Sequence, residues 1–239
     1  MSSKNRSRGR EGKDDYFFGE GKMQGKIYEA IADLSFLLER GYGESSSCQL
    51  VGNRYKLGKR QQQALRGMSA SHTAVEKRRS TRVEIKDLNN TKIALDGFNV
   101  LILLESVLSE AYIFKGVDGA YRDLSSVHGS YKKVSQTHQA IYKIGAFLEQ
   151  FELEQVLWVF DKPVSNSGRI KSEILQIAED KGWDWDVILN YNPDKFLAEG
   201  DAIAISSDAW VLDHAAQWFN LMEELIPLDY PYLLSPSIN

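Results

Sequence analysis

The chain has 239 residues, 43% hydrophobic and 26% charged, with a formal net charge of −4, the make-up of a soluble globular protein of one large domain or two small ones. No apolar run approaches the ~20 residues of a membrane helix, and the basic start MSSKNRSRGR has no apolar stretch behind it, so neither a membrane span nor a secretory signal is expected. The single cysteine, Cys48, excludes an intrachain disulfide, argues against a cysteine-based zinc site, and fits a reducing cytoplasm as the expected location.

In chain order, residues 1–21 are rich in Ser, Gly, Lys, Arg and Asp with little to bury and read as a disordered tail. From Lys26, Ile27, Ala30, Ile31, Leu34, Leu37 and Leu38 recur at helical spacing until Gly41 and Gly43. Serines 45–47 can cap a second helix carrying Leu50 and Val51. LGKRQQQALRGM reads as a third, and HTAVEKRRSTR as a basic helical stretch or a linker. Residues 22–91 therefore form a small all-α unit resembling a helix-turn-helix. Arg54, Lys56, Lys59, Arg60 and Arg66 cluster there. They are either phosphate contacts or an ordinary solvated face.

Residues 92–239 alternate between strands and helices, which implies a parallel sheet with crossovers. TKIAL, YIFKGV, QVLWVF, WDVILN and AIAISS read as strands. NVLILLESVLSEA, residues 135–152, SGRIKSEILQIAEDKG capped by Ser167, and DAWVLDHAAQWFNLMEEL read as helices. Charge divides the same way. Residues 1–95 hold 19 Lys and Arg against 11 Asp and Glu, whereas residues 96–239 hold 10 against 22. The imbalance points either to a nucleic-acid partner for the basic half or to two solvated surfaces of opposite sign.

Three apolar strands are each followed by an aspartate: Asp96, Asp161 and Asp208. In a parallel sheet all carboxyl ends share one edge, where ligands bind, so these carboxylates should converge, with Asn99 at the rim. Carboxylates gathered without cations repel one another. A hard divalent ion, Mg²⁺ or Mn²⁺, is the natural partner. The competing reading makes each aspartate a helix cap. Asp213, on the helix after Asp208, is a further candidate acid, while Glu105 is expected on a solvated face. In DKPVSNSG, Ser165 and Ser167 open a helix whose free N–H groups could meet an anion. His128, in a loop, could serve as an acid or a phosphate contact.

With Asp96-Gly-Phe-Asn99 and Ser206-Ser207-Asp208 through Asp213 in view, residues 92–239 resemble a PIN-like (NYN-related) nuclease domain. The motifs DGFNVLILLES, VHGSY, DKPVSNSG and SSDAWVLD after a helical LLERGYGESSSCQLVGNRYKLGKRQQQALRG resemble, in order, an uncharacterised prokaryotic family joining those two parts. The resemblance implies Asp96 as the first metal-binding acid, Asp208 as the late one and Asp213 as a fourth. Asp161 or Glu105 would fill the middle position, neither at the usual spacing.

Two functions are expected from these readings. One is a Mg²⁺- or Mn²⁺-dependent nuclease acting on RNA rather than DNA, with Asp96, Asp161 and Asp208 on the metal. Asn99, Ser165, Ser167, His128, Arg60 and Arg66 would contact substrate. The other is an inactive PIN-like scaffold or regulator that binds nucleic acid or protein. Assembly as a homo-oligomer is left open.

Overall fold

A computed structural model describes residues 8–125 and 131–236. Helices α1 (Gly21–Glu39), α2 (Glu44–Arg54), α3 (Lys59–Met68) and α4 (His72–Thr81) make up the N-terminal region. The apolar stripe of α1 (Ile27, Ala30, Ile31 and Leu34) is buried against Cys48, Val51, Ala64, Leu65 and Met68, as one-faced helical spacing requires. The same core takes in Tyr112, Phe114, Leu124 and Leu234. The helical region thus closes its core on residues far beyond position 91.

Residues 8–20 depart from the expected tail. Asp15–Gly19 forms a turn of π-helix and Phe18 is fully buried, with its ring 4.9 Å from that of Phe114. Asp14 is buried and accepts hydrogen bonds from Arg60, Nε–H to Oδ1 at 2.6 Å and Nη2–H to Oδ2 at 2.8 Å. The buried Phe18, the Arg60 pairs to Asp14 and Glu11 and the Arg8 pair to Glu105 dock a segment whose average composition predicts disorder.

The second part is α/β. Strand β1 (Lys92–Asp96) has four consecutive buried residues, the signature of a strand covered on both faces. It pairs in parallel with β4 (Gln155–Asp161) and with β6 (Ile203–Ile205), and β4 pairs in parallel with β5 (Trp185–Asn190). The sheet order is β5-β4-β1-β6. Helices α5 (Gly97–Leu108), α6 (Thr137–Leu148), α7 (Ser167–Lys181), α8 (Pro193–Glu199), α9 (Ala209–His214) and α10 (Leu221–Leu225) flank it. The expected α/β class, a parallel sheet flanked by helices after a helical region, is what the structure has. Gly97 begins α5 against the ring of Phe160. A side chain there would push the helix off the sheet.

Two elements depart from the sequence reading. YIFKGV does contain a strand, β2 (Ile113–Lys115), but it joins a separate small sheet with β3 (Tyr121–Arg122) and β7 (Leu233–Leu234). The helix expected to run on from Asp208 breaks after His214. Trp218 and Phe219 are both buried, which adjacent residues achieve in extended chain, on opposite faces. The segment bonds to the sheet edge through Ala204 N–H to Gln217 O and Phe219 N–H to Ala204 O. Trp218 N–H donates to Thr81 O, and Val83 N–H to Trp218 O, which ties the end of α4 to the sheet.

Candidate active site

The parallel register carries Asp96 and Asp161 to the same edge, since Asp96 lies opposite Val159 and Asp161 opposite Asn190. Asp208 follows β6 on the other side of β1. Asp96 is 6% exposed, and its Oδ2 accepts a 2.8 Å hydrogen bond from Ser206 Oγ–H. The same Ser206 oxygen accepts the Asp208 N–H at 3.0 Å, so one hydroxyl couples two strand ends. Asn99 Oδ1 accepts both the N–H and the Oγ–H of Ser207 at 2.9 Å, pinning the β6 loop to α5. Asp208 does cap α9: its Oδ1 accepts from Trp210 N–H at 2.8 Å and Val211 N–H at 3.2 Å. That leaves Oδ2 outside the cap.

Two cavities meet here. Asp96, Asn99, Asp123, Ser125 and Asp161 line one of about 210 Å³. Asn99, Asp123, Ser125, Ser207, Asp208 and Trp210, with Arg66 opposite, line one of about 660 Å³. Asn99, Asp123 and Ser125 line both and stand at their junction. The Asp96 carboxyl is pushed up to about 7, first by burial and then by the charges of Asp194 and Asp208, against the Ser206 hydrogen bond that pulls it down. Asp161 is raised by burial, and Asp194 by burial and by Asp208 and Asp161. The sequence reading missed Asp123, which lines both cavities and is raised by burial, and it missed Asp194. Asp194 lies in the first turn of α8, just past the end of β5, and the signal was Asn192-Pro193-Asp194 following WDVILN.

Other expected residues are placed differently. Asp213 is held by Arg78 through bonds of 2.7 and 2.8 Å. The guanidinium neutralises it, so it adds no free charge to the cluster. Arg78 also donates to buried Asp118 at 2.5 Å. Glu105 is fully buried rather than solvated, with Arg8, Tyr131 and Thr137 on its carboxylate. Arg60 is spent on Asp14 and Glu11, which removes it as a phosphate contact. Arg66 is half-exposed with Glu44 3.7 Å away, and it remains open to the larger cavity. Ser167 does not cap α7; Asn166 takes that place in the left-handed conformation, φ 72°, and donates its amide to Tyr131 O. Ser165 is exposed and Ser167 buried, and neither lines the two cavities. His128 lies outside the described residues.

Among the described residues no group of three or more His, Cys, Asp or Glu is disposed around one ion position. The donor chemistry nevertheless suits a hard cation: Asp96, Asp161, Asp194 and Asp208 are all oxygen donors. Of the nearby cations, Arg78 is engaged with Asp118 and Asp213 and Arg122 with Asp118, while Arg66 is open to the larger cavity and Lys162 lies over the Tyr191 ring. Mg²⁺ held by one or two carboxylates and waters does not require a three-carboxylate cage.

Residues 85–224, more than half of the chain, match the family described as "Domain of unknown function (DUF5616)". The chain belongs to this family. The DUF5616 span contains the whole carboxyl edge, from Asp96 to Asp208. Residues 26–81 match a second description, "Protein of unknown function (DUF434)". "Uncharacterized protein MJ0935" of Methanocaldococcus jannaschii is 28% identical over 180 residues, which cover 75% of this chain and 86% of the relative. No solved structure matches the chain. Among the described residues no helix is long and apolar enough to cross a membrane.

Proposed function

We propose that the chain is a PIN-like, NYN-related, Mg²⁺- or Mn²⁺-dependent nuclease that cleaves RNA phosphodiesters at the carboxyl edge of its sheet. The observation that carries the reading is the uncompensated charge there: Asp96 is 6% exposed and has Asp194 and Asp208 as its charged neighbours. Such a cluster is unfavourable unless a cation joins it. Asp96 and Asp208 would hold the ion, with Asp161 and Asp194 beside them. When bound, a divalent ion supplies positive charge to the phosphoryl oxygens and activates water. Ser206 orients the Asp96 carboxylate and ties it to the Asp208 backbone. Asn99 fixes the Ser207 loop. Arg66 offers a phosphate contact from the helical region, across the cavity from Asp208.

The second reading is a non-catalytic scaffold. In its favour stands the lack of a three-carboxylate group around one ion position among the described residues. The two separate in one experiment. Wild type, Asp96→Asn and Asp208→Asn are incubated with single-stranded RNA and Mn²⁺ or a chelator. The nuclease reading expects cleavage by wild type with Mn²⁺ alone, and loss of it in both variants. No cleavage by wild type across varied RNA leaves the scaffold.

A further inference from the structure

Large exposed aromatic rings stand at both ends of the carboxylate row. Tyr191 directly follows β5 and is 73% exposed. It adjoins Asp161, because Asp161 lies opposite Asn190 and Lys162 N–H donates to Asn190 O at 2.8 Å. Lys162 Nζ lies 4.6 Å from the centre of the Tyr191 ring. At the other end Trp210 is 45% exposed, two residues after Asp208 and bonded to it. His214 stacks on Trp210 with ring centres 4.3 Å apart at 22°, which holds the indole in place. Trp210 and Arg66 line the same 660 Å³ cavity.

The sheet order β5-β4-β1-β6 puts Tyr191 at one end of the edge and Trp210 at the other, with Asp161, Asp96 and Asp208 between them. Three strand intervals separate the ends, roughly 14 Å. Resting on the nuclease reading, we infer that Tyr191 and Trp210 are stacking platforms for unpaired bases of one RNA strand, on opposite sides of the carboxylates. The charge of the edge selects this occupant. A row of acids repels phosphates, so affinity has to come from groups that tolerate it. Aromatic faces stack on any base, and each such stack strengthens binding appreciably. Lys162 beside one ring and Arg66 beside the other supply the cations for the flanking phosphates. A duplex keeps its bases stacked on one another and presents only backbone to exposed rings. A strand bound at both platforms passes over the carboxylates, so the site takes the interior of an unpaired segment.

The test is fluorescence anisotropy of the full chain with a labelled single-stranded RNA, and with the same RNA annealed to its complement, in chelator so that nothing is cut. Wild type is expected to bind the single strand more tightly than the duplex. Tyr191→Ala and Trp210→Ala should each weaken single-strand binding roughly tenfold, while Tyr191→Phe and Trp210→Phe retain most of it. Alanine variants that bind like wild type, equal affinity for duplex, or no RNA binding at all would overturn the inference. Cleavage with Mn²⁺ is scored separately. Ring-dependent binding without cleavage sinks the nuclease reading and keeps the platforms. Cleavage with kcat/KM unmoved by either alanine sinks the platforms and keeps the nuclease.

Discussion

Replacing Asp96 by Asn removes a buried charge at almost constant shape, and the metal-free protein should respond in a pH-dependent way. The carboxyl is raised from 3.8 to about 7. Below pH ~4 it is protonated in both the folded and unfolded chain and costs nothing. Between about 4 and 7 the folded chain keeps a proton that the unfolded chain has released, so stability falls as pH rises. Above 7 the penalty is complete. Three pKa units correspond to ~4 kcal/mol. Asn gives back part of this, because its NH₂ replaces one acceptor oxygen in a buried site, at ~1–2 kcal/mol. The variant should therefore be more stable than wild type by ~2 kcal/mol at pH 8 and slightly less stable at pH 4.5. Urea denaturation in chelator at both pH values measures the difference. A destabilisation that is the same at both would refute the idea that Asp96 carries an uncompensated charge.

Arg78→Met leaves Asp118, 1% exposed, with Arg122 alone and frees Asp213; urea midpoints should show a loss of ~3 kcal/mol, and a loss under ~0.5, the range of a plain surface substitution, would contradict the clamp. Arg60→Gln strands the fully buried Asp14, so limited proteolysis should cut within residues 8–20 while the rest stays intact; an unchanged digest would show that Phe18 and the Arg8–Glu105 pair hold the segment without Arg60. Arg66→Gln should weaken RNA binding and lower the salt slope by about 1, measured on the full chain because the helical region shares its core with Phe114 and Leu234; an unaltered slope removes Arg66 from the interface.

The sheet was legible because β1, β4 and β6 are apolar runs bounded by polar residues, and parallel pairing then carries Asp96, Asp161 and Asp208 to one edge without further information. What composition could not reveal depended on single long-range contacts. Arg60 reads as a surface cation until Asp14, 46 residues away, is seen to bind it. Glu105 reads as solvated because its partner Arg8 lies in a stretch that resembles a tail. Asp213 has the right spacing for a fourth acid but meets Arg78, 135 residues earlier. Asp194 escaped notice because it sits inside a helical turn instead of at a strand end. The helix break after His214 is set by Trp218, whose indole N–H reaches Arg78 O at 2.7 Å. Helical periodicity continues past that break and gives no sign of it.

The claim that a divalent cation joins the carboxylates at the end of β1 is tested most directly by diffraction from crystals soaked in Mn²⁺. An anomalous peak beside Asp96 and Asp208 is expected in wild type, and its loss in Asp208→Asn. A wild-type map with no peak at that edge, or a peak that Asp208→Asn leaves unchanged, would contradict it.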